Sequence, residues 1–270
     1  MPVRTVAGRR AWRRRTPLAN ALAFTGWVAG AALVVWSWQL ISRQTIWIFV
    51  RDAPEQALNL FARMLPPRWA YAEELVRPLW DTLNIATIGT LAAVVLAVPV
   101  ALLAARTTTP HPSLRALALL IIVASRSIHS LVWALVLVFL VGPGVFAGVL
   151  AIALRSVGFI AKLLNEAIEE TDATQIEAIR ATGAGPGETL VYGIVPQVLP
   201  AFAGITVFRW DINIREATFL GLVGAGGIGL QLNASINSLK WADASVILVA
   251  IFLMVLVSEW VSARVRGAIT

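Results

Sequence analysis

Residues 209–216 read RWDINIRE and set Arg209, Asp211, Asn213, Arg215 and Glu216 into an otherwise apolar run. Two guanidinium groups and two carboxylates at this spacing can do two kinds of chemistry. They can pair with one another, or the arginines can bind an anion, because a guanidinium offers a planar fork of donors matched to carboxylate and phosphate oxygens. On a helix turning about 100° per residue, Arg209, Asn213 and Glu216 share one face. Asp211 and Arg215 lie nearly opposite, four apart with the acid first, the favoured order for an intrahelical pair. The first face is expected to look toward a partner or a pore, and the second to pack on neighbouring helices. Both roles stay open for Arg209 and Arg215. Arg126 and Arg155, each in another apolar segment, are further candidates for anion contact, although Arg155 could equally snorkel to a surface.

A second constellation follows at once. Gly224, Gly226 and Gly229 satisfy the spacing G-x-G-x-x-G, with Gly221 and Gly227 beside them. A dinucleotide cradle needs a strand before it, a helix after it and an acid about 20 residues on. Asp243 falls near that distance but opens an apolar run, and no P-loop lysine follows. The cluster is therefore expected to be a close-packed or re-entrant turn, where backbones approach without side chains between them, and part of an outer gate. Nothing else in the chain promises covalent chemistry. There are no cysteines and only two histidines, His111 and His129, so no metal site and no nucleophile–base pair is expected. The chain reads as a non-enzyme.

The elements that carry these residues are membrane spans. Of the 270 residues 58% are hydrophobic and 14% charged, and mean hydropathy is +0.77, whereas a soluble domain carries about 25% charged residues. Crossing the hydrocarbon takes about 20 apolar residues, and six segments fit or nearly fit: 18–41, 79–105, 113–140, 145–164, 196–222 and 241–263. Charge within a span costs at least about 2.5 kcal/mol per group on insertion scales, so the 209–216 side chains are not expected to face lipid. Net charge is +7, with Arg4, Arg9, Arg10, Arg13, Arg14 and Arg15 before the first span. Beside a membrane this cluster reads as a positive-inside anchor rather than a nucleic-acid site, and with Arg264 and Arg266 it puts both termini in the cytoplasm. The resulting division is a basic terminus 1–17, a first span, an extracytoplasmic amphipathic segment 42–78 packed on the outer face, and a core 79–266.

Inside that core, residues 165–195 form a polar cytoplasmic loop rich in carboxylates. A short helix is predicted over 174–181, capped by Asp172 or by Thr174, with Glu177 at capping-box distance from Thr174. Gly183, Gly185, Pro186 and Gly187 then force a turn, and a second helical stretch over 188–194 is expected to stop before Pro196. Glu177, Ala178, Ile179 and Gly183, followed by Val195 and Pro196, resemble the EAA loop of ABC-importer membrane subunits, with Ile179 and Gly193 departing from the usual pattern. Residues 192–200 (YGIVPQVLP), Arg209-Trp210-Asp211-x-Asn213-x-Arg215 and Gly221–Gly229 resemble, more narrowly, phosphonate-type importer permeases; His129 and Ser130 depart from the expected proline–acid pair.

This resemblance, over residues 79–266, implies an all-α polytopic bundle with a type I, MetI-like permease core of five helices plus one, in a bacterial inner membrane. It implies that Glu177, Ala178, Gly183, Gly187 and Pro196 belong to a surface that docks on a partner ATPase. It further implies two cytoplasmic ATPase subunits holding ATP and Mg, an extracytoplasmic solute-binding protein and a second permease, the same chain or a different one. No cofactor is expected on this chain itself. The implied cargo is a phosphonate or a related phosphorus oxyanion moved by alternating access. Phosphite, phosphate or another small solute such as methionine as cargo, an ATPase-independent secondary transporter, and a membrane-embedded enzyme acting on a lipid or phosphate ester are the alternatives.

Overall fold

The computed structural model describes residues 3–6, 9–12 and 17–269, with side chains described over 18–268. Two compact units result, Met1–Leu60 and Phe61–Thr270. In the first, β1 (Val3–Val6) pairs antiparallel with β2 (Arg9–Trp12), and α1 (Pro17–Gln44) follows. The N-terminal arginines expected to face the cytoplasm lie outside the residues whose side chains are described. At 1.5 Å per residue, α1 is about 42 Å long. Its large apolar side chains are exposed all round, Trp27 to 81%, as a lipid-facing span requires. The amphipathic segment forms α2 (Trp47–Met64), which holds no buried residue.

The second unit is the bundle. A 3₁₀ stretch (Trp69–Leu75) leads into α3 (Val76–Ala104), then α4 (Pro112–Ser127), α5 (Ser130–Val141) and α6 (Val145–Glu169). After α7 (Ala173–Ala181) and the single turn α8 (Pro186–Glu188), a π turn (Thr189–Ile194) runs directly into α9 (Val195–Leu220). A 3₁₀ turn (Gly221–Val223), α10 (Ile228–Asn237) and α11 (Trp241–Ile269) complete it. Among the described residues, five helices are long and apolar enough to span a membrane, and α4 with α5 makes a sixth only as a broken pair.

That break gives the third span, expected over 113–140, a shape that the departure at His129 and Ser130 had left open. The two helices meet at 92°, because Ile128 and His129 are extended (φ −103°, ψ 128° and φ −70°, ψ 149°). His129 then caps α5, Nδ1 accepting from the Leu131 amide at 3.2 Å, and His111 caps α4 in the same way from Ser113. Both histidines satisfy helix ends, where four amides lack partners. The polar loop is also shorter than expected. α6 continues to Glu169, and the stretch after Gly185 does not stop before Pro196 but passes through it. Proline is harmless there, since it lies in the first turn of α9 where its missing N–H is not required.

α6 is the central helix, packed by α3, α4, α5 and α9. Small residues make that possible. Ala86, Gly89, Ala93, Ala97 and Ala101 line α3, and Ala147, Gly148, Ala151, Gly158 and Ala161 line α6, all buried. Without a hydrophobic drive between helices in lipid, close backbone approach is what holds them. At Gly158 an added Cβ would sit 2.6 Å from the Ile122 carbonyl oxygen and 2.7 Å from Ser125 Oγ. Ser125 Oγ accepts there from the Gly158 amide at 2.9 Å and donates to the Leu154 carbonyl. Gly158→Val is expected to force α4 off α6 and cost about 1–3 kcal/mol by overpacking. A thermal unfolding scan of the detergent-solubilised protein checks this, with Gly267→Ala, which meets nothing within 4 Å, as the unchanged control.

Candidate functional site

α9 carries the charged octet in its C-terminal half, and the structure shows where each face goes. Arg209, Asp211 and Asn213 are all buried. Arg209 Nη2 lies 3.2 Å from Glu216 Oε1, and its Nε donates to Ser156 Oγ on α6 at 2.9 Å. Ser156 Oγ donates to Asn213 Oδ1 at 3.1 Å, and Asn213 Nδ2 donates to Thr90 Oγ1 on α3 at 2.7 Å. The guanidinium also sits 5.1 Å over the Phe159 ring, a cation–π contact that strengthens as water is removed. One row higher, Trp210 Nε1 donates to Thr87 Oγ1 at 3.0 Å. This polar seam joins α9 to α6 and α3.

The expected outward view of Arg209 and Asn213 is therefore reversed: this face turns into the chain's own bundle. The reason is desolvation, since a guanidinium in apolar surroundings must be paired and hydrogen-bonded. The opposite face is pinned to α11. Asp211 pairs with Arg215, and Ser258 Oγ donates to Asp211 Oδ1 at 2.9 Å. The acid side chain is 4% exposed, but Arg215 is 44% exposed. Of the charged octet, Arg215 is the group that reaches outward.

Arg215 opens onto a cleft of about 320 Å³ lined by His129, Ser130, Ile212, Arg215, Glu216 and Phe219. The α4–α5 break thus lies against the charged part of α9. Glu216 Oε2 and Arg209 Nη2 are buried without hydrogen-bond partners, although Nη2 keeps its ion pair with Oε1. Arg126 is exposed near the end of α4 and is not among the lining residues. Among the described residues no three His, Asp or Glu side chains converge to hold a metal ion.

At the other end of α9 the polar loop stands free. Glu177, Ala178, Gly183, Gly187 and Pro196 are exposed. Asp172 caps α7, accepting from the Thr174 amide at 2.9 Å, so the expected Thr174–Glu177 box does not form. At α8 only half of such a box is possible: Glu188 Oε2 accepts from the Gly185 amide at 2.8 Å, and glycine has no side chain to return a bond. Gly183 ends α7 with φ +88°, a conformation glycine takes without strain. One residue in the quoted motif received no role from sequence. Gln197 accepts from the Asp172 amide at 2.9 Å through Oε1 and donates to the Gly193 carbonyl at 2.7 Å through Nε2. Its partner at Asp172 is 25 residues away, beyond any helical spacing rule.

The glycine cluster links the far end of α9 to α10. A Cβ on Gly221 or Gly229 would overlap the backbone of the other strand of the turn, and Gly224, Gly226 and Gly227 have positive φ. The amides of Gly224, Ala225 and Leu230 bond within the segment, and that of Ile228 donates to Thr82 Oγ1 on α3 at 2.8 Å. Gly144, before α6, donates to the Gly224 carbonyl at 3.0 Å. These donors already have partners, unlike those of a phosphate cradle. The helix α10 was not foreseen from the sequence.

A bundle that buries its charges, with a broken helix and a projecting polar loop, defines a membrane-embedded transport subunit. Over residues 97–267 the chain matches the family of binding-protein-dependent transport system inner membrane components, and it belongs to that family. It is the permease subunit of an ABC importer. It is 40% identical over 208 residues to the phosphite transport system permease protein PtxC of Stutzerimonas stutzeri, covering 77% of this chain and 76% of the relative. It is 39% identical over 215 residues to the phosphate-import permease protein PhnE of Mycolicibacterium smegmatis, covering 80% of this chain and 40% of that longer protein. The fold is similar to a chain of the inward-facing MetNI methionine ABC transporter, with TM-score 0.62 and 25% identity, covering 73% of this chain and 96% of that one.

The two ion pairs should respond differently to mutation. Glu216→Leu strands a 3%-exposed guanidinium, and removing one partner of a buried pair costs about 3–5 kcal/mol. Arg215→Gln also leaves a buried acid, the 4%-exposed Asp211. Ser258 still donates to that carboxylate and the glutamine amide can replace one donor, so this variant is expected to cost less than Glu216→Leu. Comparing the unfolding temperatures of the two variants in one detergent checks the ordering.

Proposed function

We propose that this permease imports a phosphorus oxyanion, of the phosphite, phosphonate or phosphate class, and that Arg215 contacts it in passage. The observation that carries the cargo class is the likeness to the phosphite permease, 40% identical over three quarters of both chains. The cleft supports it. An exposed guanidinium beside Ser130 and His129 offers donors to a tetrahedral anion, on a surface where cargo must bind weakly enough to leave. Arg215 has a resident counter-ion in Asp211, so an anion competes with an acid that is always present. That keeps affinity low.

Both termini and the α7–α8 loop lie in the cytoplasm in this reading. Two ATPase subunits dock on the loop through the region of Glu177 and Gly183, and ATP with Mg stays on them. A solute-binding protein delivers cargo at the far end of α9, beside the glycine turn. A second copy of this chain completes the pathway. ATP-driven approach of the ATPases moves the two loops together and opens the pathway outward, and hydrolysis resets it. The continuous path from the loop through the π turn into α9 supports this mechanism, because one helix carries both the docking end and the charged segment.

Two measurements on proteoliposomes containing the ATPase and binding protein test the reading. Arg215→Gln is expected to lower ATP-dependent phosphite uptake about tenfold, the scale of one lost charge-assisted hydrogen bond, while ATP hydrolysis persists. Uptake at the wild-type rate would remove Arg215 from the pathway, and uptake without ATP would favour a secondary transporter. Separately, Glu177→Ala and Gly183→Val are expected to abolish co-purification of the ATPase with the inserted permease. Wild-type transport in both variants would exclude the loop as the docking surface.

A further inference from the structure

We propose that Gln197 is the positioning residue that converts movement of the α7 knob into movement of α9. This rests on the docking reading above. α7 meets α9 through the π turn, and a π turn is wider and more weakly wound than α-helix. Alone it would be a compliant joint, able to absorb a push rather than pass it on. Thr189 Oγ1, at the start of that turn, is buried without a hydrogen-bond partner, so the turn's polar groups are not fully satisfied from within.

Gln197 spans this joint with one side chain. Its Oε1 holds the amide of Asp172, the residue whose carboxylate caps α7, and its Nε2 holds the carbonyl of Gly193 inside the π turn. α7 itself lies close against Gly193: a Cβ there would be 3.7 Å from Ile176 Cα and 3.8 Å from Ile179 Cγ1. The amide therefore ties the start of α7, the π turn and the first turn of α9 into one body. Only a group with a donor and an acceptor at this reach can hold both ends, and a glutamine amide has both. Displacement of the knob then reaches Arg209, Asp211 and Arg215 along a single helix.

The test measures cargo moved per ATP hydrolysed in proteoliposomes of the full transporter. Gln197→Leu loses both bonds, whereas Gln197→Glu keeps the acceptor for the Asp172 amide. Gln197→Leu is expected to bind the ATPase and hydrolyse ATP like wild type but to move about tenfold less cargo per ATP, the scale of two lost hydrogen bonds between uncharged groups. Gln197→Glu should lie between the two. Unchanged cargo per ATP in Gln197→Leu overturns the proposal. If that variant does not assemble, Gln197→Met, of similar length and equally unable to bridge, takes its place. Failure of both to assemble assigns Gln197 a folding role and overturns the proposal as well. The two readings fail separately: docking that survives Glu177→Ala and Gly183→Val removes the knob, while normal coupling in Gln197→Leu with docking intact removes only the link.

Discussion

A guanidinium in a hydrocarbon slab has no water to turn to, and much of the bundle's arrangement follows from that. Arg209 is ion-paired with Glu216 on its own helix and hydrogen-bonded to Ser156 on α6, and Asn213 carries the same row on to Thr90 of α3. Rotating α9 by a single residue position, about 100°, would turn these groups away from their partners and toward lipid or apolar core. The seam therefore sets the rotation of α9 with more force than apolar contacts could, since those can slide at little cost. It also decides which side chain is left over. With Arg209 and Asn213 turned inward and Asp211 held by Ser258, Arg215 is the charge that remains available to something outside the chain.

The seam in turn depends on how near the helices come. Hydrogen bonds of 2.7–3.1 Å between short side chains such as Thr90, Ser156 and Asn213 require backbones in close contact. The alanine and glycine rows of α3 and α6 supply that closeness. Gly89 faces Ile152 with only 2.7 Å to spare for a notional Cβ, and Gly148 faces the Ala225 carbonyl at the same separation. Small residues and buried polar residues are thus one device here: the first set the spacing at which the second can bond.

The spans were legible in the sequence because length and hydropathy suffice to find them, and the Asp211–Arg215 spacing spoke for itself on any helix. What was not legible has three physical sources. Periodicity tells which residues share a face but not what the face meets, so Arg209 and Asn213 were expected outward. The shape of the α4–α5 break was not legible, because Ile128 and His129 make it without the proline that the resemblance called for, and an apolar run reads the same whether straight or bent. Gln197 works through partners fixed by the tertiary fold, so nothing local marks it. The short loop helix was visible, while its cap resolved to Asp172 because that carboxylate, not the Thr174 hydroxyl, reaches the free amide. The helix α10 hid in a stretch whose glycines spoke only of a turn.

The π turn between Thr189 and Ile194 sets a phase. Whatever lies before it on the chain is rotated, relative to the charged row of α9, by an amount that counts residues one at a time. Length changes in the Gly183–Gly187 connection leave that phase untouched, because a glycine hinge absorbs them. An inserted or deleted residue between Thr189 and Arg209 would swing the whole knob about 100° around the helix axis while every contact within each half stayed intact. Among relatives of this chain, drift in length should accordingly collect on one side of residue 188 and be almost absent on the other. The segment 189–209 is in this sense a ruler, whose residue count fixes the angle between the knob and the charged row.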